Sequence, residues 1–332
     1  MDSFLNSERQ YYFDNAKFIL IILVVLGHGM ELVGGEWINS LYRLIYIFHM
    51  PCFVLVSGYF SKKYEKQTFI DNIIQYIVFQ LAYNLFSFFV LKTELSIQFT
   101  TPFWLLWFSF AIIAWKSFLP QITKLKLPVS IIIFFVIGIL VGYESTVNYY
   151  LSLSRIIVFF PLFIIGYYMN FDMIKRIKKL GVVIPCIVFT IVFILIRTKI
   201  VNIDVRIFYG SYSYKALGLN MWYSGLYRIV QYSATILLSI CFFSIIPNKK
   251  TWYSILGTRT LQVYLLHGFV MKYLGFLRVG ALTNTYILKL LFFVALIIMT
   301  IVLSTKPVEV MLTPITKPVR LFRKHLQSKQ AV

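Results

Sequence analysis

Two histidines sit in apolar segments near the start of the chain, His28 in FILIILVVLGHGM and His49 in LIYIFHMPCFVLV. Each segment is long enough to cross a bilayer, and an ionisable group at that depth is costly and kept chiefly where it faces a cavity or a partner. Imidazole titrates near neutral pH, so either ring is equipped to take a proton from a reacting hydroxyl. Lys17 precedes His28 by eleven residues. At about 100° per residue that is about three turns, which puts both side chains on one helix face roughly 16 Å apart, one at the wet end and one buried. Gly27 and Gly29 flank His28 and leave room for a neighbouring helix or a substrate. His267 in YLLHG is a third apolar histidine, whereas His325 in LFRKHLQSK reads as solvated. A histidine bonded to a neighbouring helix for structure alone is the competing reading.

The elements that must position these groups are membrane helices. Of 332 residues, 59% are hydrophobic and 13% charged, and the mean hydropathy is +0.79, which argues against a soluble globular domain. Runs near twenty apolar residues predict an all-α, polytopic integral membrane protein with about ten transmembrane helices. The expected spans are 17–34, 40–60, 69–91, 99–115, 127–142, 149–169, 180–196, 225–246, 255–275 and 285–304. Residues 1–304 then form a transmembrane domain, and 305–332, interrupted by Pro307, Pro314 and Pro318, a basic cytoplasmic tail. The net charge of +20 comes in short clusters between spans, such as Lys175, Arg176, Lys178 and Lys179. It forms no continuous basic face, which speaks against nucleic acid as a partner. The clusters favour alternate loops, which predicts both termini in the cytoplasm. Cys52, Cys186 and Cys241 lie in apolar segments without metal or redox spacing, and neither a metal site nor a Gly-rich phosphate loop is expected.

FDNAK (Phe13 to Lys17), with ten residues between Lys17 and the His28 of GH, resembles the first-helix motif of the acyltransferase-3 family of membrane acyltransferases. FHMPCFVLVSGYFSKK, from Phe48 to Lys63, resembles the segment that follows it in that family. The branch it most resembles is the fucose 4-O-acetylase-like group, and the resemblance runs from Phe13 through Gly268. It implies an O-acetyltransferase of the cell membrane, surrounded by lipid, that moves an acetyl group from cytoplasmic acetyl-CoA to a hydroxyl of a cell-envelope glycan. On that reading His28 is the general base, Asp14 and Lys17 shape the cytoplasmic mouth, and His49 binds the carbonyl or orients His28.

Other residues keep two readings. Arg155, in SRIIVFFPLFIIGYY, is always charged and is either a snorkelling arginine or, as the resemblance implies, a pore-facing group that holds the acyl carbonyl or its oxyanion. Lys62 and Lys63 either hold coenzyme A phosphates as point charges or simply mark a cytoplasmic loop. Lysines stand where the family usually has paired arginines, and Lys17 replaces its usual first-helix arginine, which weakens bidentate phosphate contacts. Trp104 and Trp107 are interfacial anchors or an aromatic shelf for a sugar. The Tyr-, Ser- and Asn-rich stretch 197–223 recognises the acceptor or is an interfacial loop. A transporter or flippase for a lipid-linked sugar would need the same helices and midplane polar groups, but no internal repeat is visible. Acceptor, acetyl against succinyl, and oligomeric state stay open.

Overall fold

The computed structural model describes residues 2–62, 65–146, 150–202, 204–319 and 321–322, with side chains from Tyr11 onward. Every expected span contains a helix, and no strand occurs among the described residues. In order these are α1 (Asp2–Val33), α2 (Glu36–Phe60), α3 (Lys66–Phe89), α4 (Trp107–Ile122), α5 (Leu127–Leu140) and α6 (Leu153–Tyr168). They continue with α7 (Phe171–Lys178), α8 (Val183–Arg197), α9 (Gly225–Ile245), the single turn α10 (Ser254–Gly257), α11 (Thr260–Phe276), the single turn α12 (Val279–Leu282), α13 (Tyr286–Leu303) and α14 (Lys306–Thr316). A 3-10 turn, Trp104–Leu106, leads into α4.

Among the described residues six helices are long and apolar enough to cross a membrane on length and composition, and up to seven if the bent pair α7 and α8 is one span. The protein is therefore a multi-pass membrane protein, with fewer self-sufficient spans than the ten expected. The reasons are local. α3 carries Asn72, Gln75, Gln80 and Asn84 on its length, α5 is only 14 residues long, and α11 is 17. α7 meets α8 at 78° and carries Lys175, Arg176 and Lys178 in its last turn, the composition of a helix lying along an interface. Part of the expected tail is also ordered: α14 packs on α3, and its Glu309 pairs with Arg259 at 2.9 Å.

α1 and α2 form the centre, with α1 against α2, α10, α11 and α13, and α2 against α6, α8 and α9. They are joined by Gly34 and Gly35 at φ 63° and 119°, a conformation only glycine adopts cheaply. Pro51 stands inside α2. It has no N–H to give, which leaves the carbonyl four residues back, at Ile47, without its helical donor. Thr235 of α9 fills the vacancy with a hydroxyl bond of 2.9 Å, as a backbone acceptor in a membrane requires. About two turns on, Gly58 of SGYF meets the backbone of Phe163 to Tyr167, and Gly166 meets that of Leu55, so a side chain at either would push α2 and α6 apart. The FDNAK motif has a structural half as well. Asn15, fully buried, donates to the carbonyls of Pro247 and Lys249 at 2.9 and 3.0 Å and accepts from Thr251 and Ser254 at 2.8 and 2.7 Å. The base of α1 is thereby fixed to the loop before α11.

Candidate active site

One stripe of α1 lines a cavity of about 280 Å³: Lys17, Ile21, Val24, His28 and Glu31. At about 100° per residue these five fall within an arc of roughly 80°, so the stripe follows from helical geometry alone. Its length from Lys17 to Glu31 is about 21 Å at 1.5 Å per residue. His49 of α2, Arg155 of α6, His267 of α11 and both Trp104 and Trp107 face the same cavity.

Three histidines expected in the apolar interior converge there. His28 and His267 stack with ring centroids 5.6 Å apart, and Trp104 lies 4.6 Å from His28. Nδ1 of His49 bonds the carbonyl of Ile45 at 2.8 Å, and Nδ1 of His267 bonds that of Val263 at 2.8 Å. A carbonyl can only accept, so in both neutral rings Nδ1 carries the proton and Nε2 is an acceptor. His28 differs. Its Nδ1 lies 3.4 Å from Oε2 of Glu31, one turn further along α1, and 3.4 Å from the hydroxyl of Tyr46. Oε1 of Glu31 accepts from Tyr42 at 2.6 Å and from Tyr46 at 2.8 Å, and Tyr209 in turn bonds Tyr42. Gly27 makes room for the Tyr46 ring, and Gly29 for Leu296 of α13.

The Lys17 half of the motif is less uniform. Lys17 pairs with Asp14 at 2.8 Å and lies 5.5 Å from the Phe60 ring, but only Lys17 of the two lines the cavity. Lys62 donates to the carbonyl of Met169 and sits 4.5 Å over the Tyr59 ring, directed at α2 and the end of α6. Lys63 lies outside the described residues.

At the other end, the 197–223 stretch is no open loop. Ser211, Ser213 and Tyr214 are buried, and the segment caps the helices. Ser154 donates to Gly210 at 2.7 Å, Arg228 to Ile207 at 2.9 Å, and Tyr214 to Ile139 at 2.8 Å. Arg155 spans cap and cavity, with Nε donating to the carbonyl of Tyr209 at 3.2 Å and its guanidinium 5.1 Å over Trp107. Asp204 in the cap is held below the usual carboxylate range, chiefly by its hydrogen bonds from Arg206.

The sequence pattern of an acyltransferase domain matches residues 10–305. The chain belongs to the acyltransferase-3 family. Two curated relatives share a shorter stretch: the nodulation protein NolL of Sinorhizobium fredii is 45% identical over 60 residues, and that of Mesorhizobium japonicum 40% over 60. Each match covers 17% of this chain and 16% of the relative, so the chain spans about a sixth of their length. No solved structure matches the chain.

In this acyltransferase-3 chain the residues singled out from sequence divide. His28, His49, Lys17 and Arg155 meet at one cavity, while Asp14 acts on Lys17 from beside it and Lys62 turns away. Sequence inspection passed over Glu31 and the tyrosines that hold it. The available signal was an acidic residue three places after the histidine, on the same helix face.

Proposed function

We propose that this chain is an O-acetyltransferase of the cell membrane, with some ten spans and both termini cytoplasmic, that takes acetyl from acetyl-CoA and gives it to a hydroxyl of a cell-envelope or exported glycan. The observation that carries the reading is the α1 stripe: a cation at one end, a histidine–carboxylate pair about 16 Å further along, and a continuous cavity between. That separation suits an extended thioester arm whose charged head stays at the Lys17 mouth. The FDNAK, FHMP and SGYF motifs support the fucose 4-O-acetylase-like branch.

In this mechanism Nε2 of His28 takes the proton of the acceptor hydroxyl as its oxygen bonds the thioester carbon. Glu31, facing Nδ1, holds the ring in the tautomer that leaves Nε2 basic and balances the imidazolium that forms. Arg155 supplies positive charge on the cavity wall for the oxyanion. The intermediate collapses with loss of the coenzyme A thiolate, which takes the proton back from His28. His49 and His267 present acceptor nitrogens suited to sugar hydroxyls. Asp14 holds Lys17 at the mouth, and Lys62 and Lys63 add positive charge to the donor side.

The test is acetyl-CoA thiol release by detergent-purified protein supplied with envelope glycan. The expected result is glycan-dependent release with acetyl ester appearing on the glycan by mass spectrometry. Purified, folded protein that transports a lipid-linked sugar and releases no thiol would replace this reading with a transporter.

A further inference from the structure

Toward the Glu31 end of α1 a second cavity, of about 320 Å³, opens between α1 and α11 and includes His28, Glu31, Trp104, Met271 and Lys272 in its wall. It shares His28, Glu31 and Trp104 with the main cavity, so the two meet at the imidazole. Lys272 is five residues beyond His267 and four short of the end of α11, hence about 6 Å inside that end. Its Nζ lies 4.7 Å over the Trp104 ring and 5.8 Å from that of Phe103. Among the described residues no carboxylate forms an ion pair with it. Glu31, the acid on the same cavity, already serves Tyr42 and Tyr46 and faces His28. Lys272 is only partly exposed, and because the acid on its cavity wall is already engaged, the wall keeps positive charge with which an anionic ligand can pair.

The wall it stands on is built rigidly. Trp104 has φ 27°, in the left-handed region that a side chain adopts only when its surroundings impose it. They do so here through Gln80 of α3, almost wholly buried. Its amide nitrogen donates to the carbonyls of Gln98 and Thr101 at 2.6 and 3.0 Å, and its oxygen accepts from the N–H of Phe103 at 2.8 Å.

We infer that this second cavity is the acceptor subsite, and that Lys272 selects an acceptor sugar carrying an anionic group, carboxylate or phosphate, near the hydroxyl to be acylated. The inference rests on the reading of His28 as the base and of the Lys17 end as the donor side. Donor and acceptor then reach the imidazole from opposite ends of the stripe, and neither has to leave for the other to enter.

Equilibrium dialysis of the detergent-purified protein, with no acyl donor present, tests this apart from turnover. The probes are radiolabelled methyl glucuronide, glucose 1-phosphate and neutral methyl glucoside, and whichever anionic probe is held better tells carboxylate from phosphate. The wild type should hold an anionic sugar more tightly than the neutral one. Lys272→Gln should weaken the anionic probe by roughly 10- to 100-fold, the worth of a charge-assisted bond, with little change for the neutral one. Lys272→Arg, which keeps the charge, should retain most of the binding, and unaltered thermal unfolding of both variants separates lost binding from lost folding. Equal retention of all three probes by the wild type, no saturable binding of either anionic probe, or unchanged binding in folded Lys272→Gln overturns the proposal. Failure of the acyl-CoA reading shows instead as absent thiol release by the wild type, whatever dialysis finds.

Discussion

At the scale of single residues, the site turns on which nitrogen of each histidine is already engaged. His49 and His267 anchor Nδ1 to their own helices, whereas His28 directs Nδ1 to a carboxylate that two tyrosines hold in place. Of the three, His28 is the ring whose nitrogen directly faces a carboxylate that can balance its positive charge. Glu31→Gln keeps an oxygen for the tyrosines but loses the carboxylate charge and admits the wrong tautomer. It should lower kcat by on the order of 10²-fold with the apparent KM for acetyl-CoA little changed, as read from steady-state thiol release. A fall in expression with normal kcat per folded molecule would make Glu31 a folding residue instead. His28 and Lys17 were legible in the sequence because a spacing of about three helical turns puts them on one face. Glu31 was not, since its meaning depends on α2 bringing Tyr42 and Tyr46 alongside, and that register is a tertiary fact.

At the scale of elements, polar side chains repair the places where helices break, and the repairs position the site. Thr235 supplies the donor that Pro51 withholds from Ile47 two residues from His49. Thr235→Val keeps the shape and removes the hydroxyl. It should cost about 1–3 kcal/mol, the usual penalty for a buried unpaired acceptor, measured by unfolding in mixed micelles. Gln80 has the same relation to Trp104. Gln80→Leu would strand two carbonyls and one N–H of the 98–103 segment, and should reduce turnover through displaced Trp104 while α3 itself still forms. Circular dichroism unchanged beside a several-fold lower kcat/KM is the expected pair of results. Helix positions were readable from apolar runs, as α1, α2 and α6 demonstrate. The apolar runs also suggested α3, α5 and α11 as spans, although α3 is too polar and α5 and α11 too short to qualify on length and composition. The cap at 205–219 was hidden, since its bonds run to α5, α6 and α9.

At the scale of the whole molecule, α1 lines both cavities along its length, while α13, only 11% buried over its span, lies at the periphery. On the proposed orientation, with both termini cytoplasmic, α7 lies on the cytoplasmic side and Lys199 on the other. Cysteines introduced at Arg176 and Lys199, both exposed, report on this through an impermeant reagent in intact cells: position 199 should label and 176 should not. The central claim is that an acyl group passes at His28 between a donor on one face and an acceptor on the other. The most direct measurement uses proteoliposomes of fixed orientation, with radiolabelled acetyl-CoA only on the Lys17 side and glycan only on the opposite side, comparing the wild type with His28→Gln. Glutamine has similar size and hydrogen-bonding capacity but takes no proton at neutral pH, so label should appear on the glycan with the wild type and fall by about 10²–10⁴-fold in the variant. Near wild-type labelling by well-folded His28→Gln, or labelling only when donor and glycan share a side, would contradict the account.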